Sequence, residues 1–234
     1  MRNLLLLSNS TNHGQGYLDH AMPEVRGLFG GAKRLLFVPF ALHDRAAYAA
    51  KARARFAGEG IEVEELAANA VGRRLLASAE AVFVGGGNTF RLLKTLQDSD
   101  LLEPLRRRVR DGLPYLGASA GINIVCPTIK TTNDMPIVQP ASFDALGIVP
   151  FQINPHYLDP DPGSRHMGET REDRIREFLE ENDVAVVGLR EGAWLRVEGA
   201  GGQLGGAAAA RVFRRGRAPE ELGTGASLAP LLAG

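Results

Sequence analysis

Apolar residues along this chain gather into short unbroken runs, with amphipathic stretches between them. Asn3 to Leu7 is the first run, closed by Ser8-Asn9-Ser10-Thr11. A run bounded in this way suits a strand buried on both faces of a parallel sheet. Tyr17 to Phe29 follows as a predicted helix, stopped by Gly30-Gly31. Lys33 to Phe40 reads as a second strand, and the Ala- and Arg-rich stretch Asp44 to Ala57 as a helix with Gly58 and Gly60 beyond it. Ile61, Val63 and Leu66 mark a third strand and its exit, Arg73 to Ala79 a short helix, and Ala81 to Val84 a fourth strand. Further on come a helix from Asp100 to Asp111, a strand over Phe151 to His156, a helix beginning at Gly168 to Leu179, and a buried strand over Val184 to Leu189. Trp194 to Val197 and Arg211 to Phe213 suggest a terminal hairpin-like element. The alternation predicts α/β layers with a mostly parallel sheet.

Composition narrows the class. With 234 residues, 44% apolar and 23% charged, the chain has material for a sizeable core, and a single domain over 1–234 is expected. A formal net charge of +0 gives no general attraction for nucleic acid or an anionic membrane. The lone Cys126 leaves no internal disulfide and no multi-cysteine metal site. No apolar run approaches the roughly 18 residues of a membrane span. The opening Met1-Arg2-Asn3-Leu4 lacks a cleavage pattern for secretion, so a cytoplasmic protein is expected.

Chemistry concentrates at Leu113 to Asn123, an apolar strand that runs into Gly117-Ala118-Ser119-Ala120-Gly121. This has the form of a nucleophile elbow, in which a serine sits exposed on a tight strand-to-helix turn. Its plain alternative, in a chain with 28 glycines, is an ordinary Gly-Ser turn. The amide of Ala120 would open a helix, where negative charge is favoured. Gly85-Gly86-Gly87-Asn88-Thr89-Phe90 is a second strand-to-helix passage. Phe90 fills the third fingerprint position and no Gly-Lys-Ser/Thr follows, so a nucleotide site is the weaker reading. The better one brings the bare Gly87 amide close to a ligand, forming an oxyanion hole with Ala120.

Other groups are weighed by position. His156 ends a strand and precedes a loop, Tyr157 to Met167, that contains Pro160, Pro162 and Gly163 and is expected to be mobile. Sites in open α/β sheets collect at such carboxyl ends. Glu191 leaves another strand in the same way. Asp134, among polar turn formers, reads by itself as a turn residue. Thr170 and Asp173 form a capping box, Glu172 and Arg176 an i,i+4 pair, and Arg171 falls in the first helical turn, where it can reach into a cleft. Arg106, Arg107, Arg108 and Arg110 read as a solvated face, and Cys126 as packing at the far end of the elbow helix.

Taken together, several segments resemble the peptidase E family of aspartyl dipeptidases. They are Leu4-Leu5-Leu6-Leu7-Ser8-Asn9-Ser10-Thr11, Val84 to Phe90, Gly117 to Gly121, Cys126 to Ile129 with Thr131 to Pro136, Gln152 to His156, and Gly168-Glu169-Thr170-Arg171. The resemblance implies a three-layer, doubly wound α/β fold similar to class I glutamine amidotransferase domains. It also implies a serine hydrolase that cleaves Asp-X dipeptides without metal or other cofactor. Ser119 would be the nucleophile and His156 the base. Asp134 and Glu191 both match acidic positions, and either could orient His156; Glu191 is preferred, as a residue leaving a strand beside that of His156. Arg171 is the expected partner of the substrate's aspartate carboxylate. No nucleic-acid or membrane partner is expected, and the chain would act as a monomer or homodimer. A cyanophycinase-like or isoaspartyl peptidase is the nearest rival. An α/β-hydrolase esterase using Ser119, Asp134 and His156, and a noncatalytic small-ligand binding module, are more distant ones.

Overall fold

The computed structural model describes residues 1–161, 163, 165 and 167–233, so positions 162, 164 and 166 of the expected mobile loop Tyr157 to Met167 lie outside the described residues. In chain order the elements are β1 (Asn3–Leu7), a 3-10 turn (Asp19–Ala21), α1 (Met22–Phe29), β2 (Arg34–Val38), α2 (Arg45–Ala57), β3 (Glu62–Glu65), α3 (Ala70–Ser78), β4 (Ala81–Val84), α4 (Thr89–Asp98) and α5 (Leu102–Arg110). Then follow β5 (Tyr115–Ala118), α6 (Ala120–Asn123), β6 (Gln152–Pro155), α7 (Arg171–Glu181), β7 (Val186–Leu189), β8 (Ala193–Glu198), β9 (Gly201–Gly206), β10 (Ala210–Phe213), β11 (Glu220–Leu222) and α8 (Ala229–Leu232).

Seven strands form one sheet in the order β3-β2-β4-β5-β1-β8-β9. Its first five strands are parallel, and β8 and β9 close the edge antiparallel. A four-stranded sheet, β11-β10-β7-β6, stands beside it, with β6 and β7 parallel. The fold is therefore mixed α/β with a mostly parallel main sheet. The apolar runs are buried on both faces: Leu5, Leu7, Phe37 and Phe83 pack with Val25 of α1 and Ala52 and Phe56 of α2, while Leu4, Leu6, Val82 and Val84 pack with Leu92 of α4 and Leu105 of α5. Helices thus cover the two faces of the sheet, giving three layers. Among the described residues no helix is long and apolar enough to cross a membrane.

Three expectations are corrected. Trp194 to Val197 and Arg211 to Phe213 do not form a hairpin: β8 turns back on β9, whereas β10 pairs with β7 in the other sheet. The glycines of β9 hide it in the sequence, because glycine is a poor strand former; here a Cβ at Gly205 would collide with the Trp194 ring. The arginines of α5 do more than decorate a solvated face. Arg106 donates to the carbonyls of Leu146 (3.0 Å) and Ala145 (2.7 Å), and Arg108 to those of Leu76 (3.2 Å) and Ala79 (2.7 Å), tying a loop and the end of α3 to α5. Cys126 lies beyond the elbow helix, which ends at Asn123, although its thiol is buried and donates to Ile122 O at 3.3 Å.

Candidate active site

Ser119 is the hinge between β5 and α6. Its φ of 51° and ψ of −112° place a non-glycine residue in strained backbone. The flanking glycines make this possible. A Cβ at Gly117 would lie 2.9 Å from Gly121 O, and one at Gly121 would strike Val84 O on the neighbouring strand. The Ser119 N–H donates to Leu7 O at 3.1 Å, which pins the turn to the tip of β1.

His156 follows β6 directly and is also at positive φ, 53°. Its Nε2 is 2.8 Å from Ser119 Oγ, and its Nδ1 is 2.7 Å from Glu191 Oε1. A carboxylate only accepts, so Nδ1 carries the proton toward Glu191 and Nε2 is left to accept from the serine hydroxyl. Glu191 comes two residues after β7, the parallel neighbour of β6. The structure thus brings Ser119, His156 and Glu191 into one chain of hydrogen bonds. Such an arrangement can draw a proton from a hydroxyl while stabilising the imidazolium that results.

Asp134 is elsewhere. Its Oδ2 accepts from the Thr89 N–H at 2.8 Å and from Thr132 Oγ1 at 3.0 Å, at the start of α4. Between the two acidic candidates, it is Glu191 whose carboxylate meets the imidazole. Asp134 instead belongs to a clamp on the glycine loop. Beside it Asn88 caps α4, accepting from Arg91 N at 3.0 Å, and donates to Met135 O at 2.8 Å.

The glycine loop abuts the serine: a Cβ at Gly86 would be 3.1 Å from Ser119 Cβ. Gly87 has φ of 132° and sits against Ala41 O and Leu42, with no room for a side chain. Among the described residues the Gly87 N–H has no protein acceptor. The Ala120 N–H, first in α6, has no partner within its helix. Both are open donors, one on the glycine loop and one at the start of α6, on segments that meet at the serine.

Arg171 opens α7, whose capping box is present as expected, Thr170 taking the Asp173 N–H at 3.1 Å. Burial, and then the neighbouring charge of Arg174, lower the Arg171 pKa, while nearby Asp134 opposes them. No carboxylate among the described residues lies within ion-pair distance of its guanidinium. Guanidinium remains charged at any ordinary pH.

Sequence reading passed over Ser8, taken as a turn former. Its buried hydroxyl accepts from the His156 N–H at 2.9 Å and donates to Leu189 O at 2.8 Å. Its signals were its place just past the carboxyl end of β1 and its inclusion in the Leu4 to Thr11 segment, neither of which names a partner for its hydroxyl.

Known proteins share this arrangement of elements. The profile of peptidase family S51 matches residues 4–205. Peptidase E of Streptomyces coelicolor is 60% identical over 98% of this chain and 95% of its own. A probable alpha-aspartyl dipeptidase of Drosophila melanogaster is 49% identical over 99% and 98%. Among solved structures, a peptidase from an acI-B1 Actinobacterium superposes with a TM-score of 0.72 over 97% of this chain and 96% of that one, at 19% identity. A putative peptidase E protein from Listeria monocytogenes EGD-e gives 0.68 over 89% and 100%, at 22% identity. These two show the fold.

Proposed function

The chain belongs to peptidase family S51, and from that premise we propose that it is a serine-type dipeptidase acting on α-aspartyl dipeptides, with Ser119 as nucleophile. The reading is supported above all by one observation: His156 bridges Ser119 and Glu191 at 2.8 Å and 2.7 Å. The relatives named peptidase E and alpha-aspartyl dipeptidase match nearly end to end, which gives the substrate class.

In this mechanism Ser119 Oγ attacks the carbonyl carbon of the Asp-X bond as its proton passes to His156 Nε2. Glu191 holds the imidazole in the tautomer that can accept that proton and balances the charge that follows. The oxygen of the tetrahedral intermediate takes hydrogen bonds from the Gly87 and Ala120 amides, fixed donors that need no rearrangement as charge develops. The intermediate collapses, the C–N bond breaks, and His156 returns its proton to the departing amine of X. Water then attacks the aspartyl ester, giving a proton to His156; the C–O bond to Ser119 breaks as His156 passes that proton to Ser119 Oγ, and free aspartate leaves with the serine restored. Arg171 receives the substrate's side-chain carboxylate, which planar guanidinium can bind through two parallel hydrogen bonds.

The test is a panel of α-Asp-X, Asn-X, Glu-X and β-Asp-X dipeptides, followed by release of the N-terminal amino acid. Asp-X should exceed Asn-X by at least about 100-fold in kcat/KM, because a charged partner left unpaired is costly. Preference for β-Asp-X would make the protein an isoaspartyl peptidase instead, and equal rates on Asn-X would remove recognition of the aspartate.

A further inference from the structure

We propose that Ser8 is a positioning residue for catalysis, and that the tip of β1, Leu7-Ser8-Asn9, is the common mount on which all three members of the Ser119–His156–Glu191 chain are held. This rests on the hydrolase reading above. Three consecutive residues reach three different segments. Leu7 O accepts the N–H of Ser119 at 3.1 Å, Ser8 Oγ that of His156 at 2.9 Å, and Asn9 Oδ1 that of Gly192, next to Glu191, at 2.8 Å.

Ser8 carries the greatest demand. It is wholly buried, and its hydroxyl works in both directions at once, accepting from His156 N and donating to Leu189 O at 2.8 Å. The bond to Leu189 turns the hydroxyl so that a lone pair faces the His156 amide. His156 needs such an anchor because its backbone is at φ 53°, which a β-carbon disfavours and which persists only when the surroundings impose it. Releasing that amide would let the residue relax toward ordinary backbone and swing the imidazole away from Ser119. Asn9 is itself locked, its Nδ2 donating to Thr11 O at 2.9 Å and to Asn12 Oδ1 at 2.7 Å. A bond made in the ground state by groups that never touch substrate affects geometry, not binding. Its loss should therefore appear in kcat rather than KM.

The experiment compares wild type, Ser8→Ala, Ser8→Thr and a control core variant, Val25→Ala, a buried apolar residue of α1 whose side chain takes part in none of these hydrogen bonds. Turnover of Asp-Leu and the rate at which a fluorophosphonate labels Ser119 are both read, with thermal midpoints alongside. Ser8→Ala should lower kcat about 10- to 100-fold, and labelling in proportion, with KM within about twofold of wild type. Ser8→Thr, which keeps the hydroxyl, should recover most of the loss, and Val25→Ala should label at the wild-type rate despite a lower midpoint. Wild-type kcat and labelling in Ser8→Ala would overturn the inference, as would an equal labelling loss in Val25→Ala. If Ser8→Ala does not fold, Asn9→Ala is placed in the Glu191→Gln background. Little further loss there supports the mount, and a fully additive loss contradicts it. A wild-type protein that is neither labelled nor active on any aspartyl dipeptide would sink the hydrolase reading itself; normal wild-type labelling with an indifferent Ser8 sinks only this inference.

Discussion

Glu191 meets His156 because the strands that carry them, β6 and β7, are parallel neighbours in register, with Pro155 opposite Leu189. His156 is the first residue past that pair on one strand, and Glu191 the second past it on the other. The two side chains therefore leave the same edge of the same sheet and close to 2.7 Å. Ser119 arrives from the other sheet, where β5 runs beside β1. The site lies on the seam between the sheets, and β1 serves both sides.

Replacing Glu191 by glutamine keeps the shape and removes the charge. The amide can present nitrogen to Nδ1 and favour the wrong tautomer. We expect kcat to fall roughly 10²- to 10⁴-fold with the thermal midpoint nearly unchanged. Stopped-assay kinetics with Asp-Leu check this, and activity within threefold of wild type would show that the carboxylate plays no part.

Asp134→Ala should act on stability. It strips the acceptor from the Thr89 N–H and from Thr132 Oγ1 at the head of α4. A buried donor left without a partner costs about 1–3 kcal/mol, read as a lower urea midpoint at constant m-value. An unchanged midpoint would mean water satisfies the Thr89 amide equally well.

Arg171→Ala should raise KM for Asp-X far more than for neutral analogues, since it removes a guanidinium that has no carboxylate partner of its own among the described residues. The ratio of the two KM changes is the measurement. Equal changes would take Arg171 out of substrate recognition.

Asp159 carries a pH dependence whose sign is fixed. Its carboxylate is held below the usual range first by hydrogen bonds from Arg190, 2.7 Å away, and further by the charge of Arg211. A depressed folded pKa stabilises the protein above the unfolded value of 3.8 and is lost as pH falls through the lower folded value. The group is half exposed, so screening keeps the effect to about 1 kcal/mol or less. Wild type should therefore exceed Asp159→Asn in urea midpoint at pH 7, and the gap should close in acid. A gap that persists below both pKa values would point to packing instead of charge.

Burial pushes the Cys126 thiol up to about 12, so it should stay a protonated, inert group at neutral pH. Ellman's reagent is expected to find no thiol in the native protein and one after unfolding; rapid native reaction would contradict the burial.

Much of this was legible in the sequence for local reasons. The apolar runs Leu4 to Leu7 and Ala81 to Val84 announce buried strands, and the glycines around Ser119 announce a tight turn, because burial and turn geometry leave marks within a few residues. The edge strand β9 left none: its sequence Gly-Gly-Gln-Leu-Gly-Gly lacks the residues that favour strands, and its pairing with β8 places the Trp194 ring where a side chain at Gly205 would stand. The preference for Glu191 over Asp134 rested on the expectation that its strand lies beside that of His156; spacing along the chain does not encode strand order, and the pairing of β6 with β7 supplies it. Ser8 was invisible for a related reason. A serine after a strand looks like any turn former until the two partners of its hydroxyl, 148 and 181 residues away, are in place.

The central claim is that aspartate is released through an ester on Ser119, and Ser119→Ala tests it most directly. Its aspartate release from Asp-Leu should fall by about 10⁴-fold or more, with the thermal midpoint at or above that of wild type, because the change removes a hydroxyl and no packing. Wild-type rates of aspartate release from the folded variant would contradict the account.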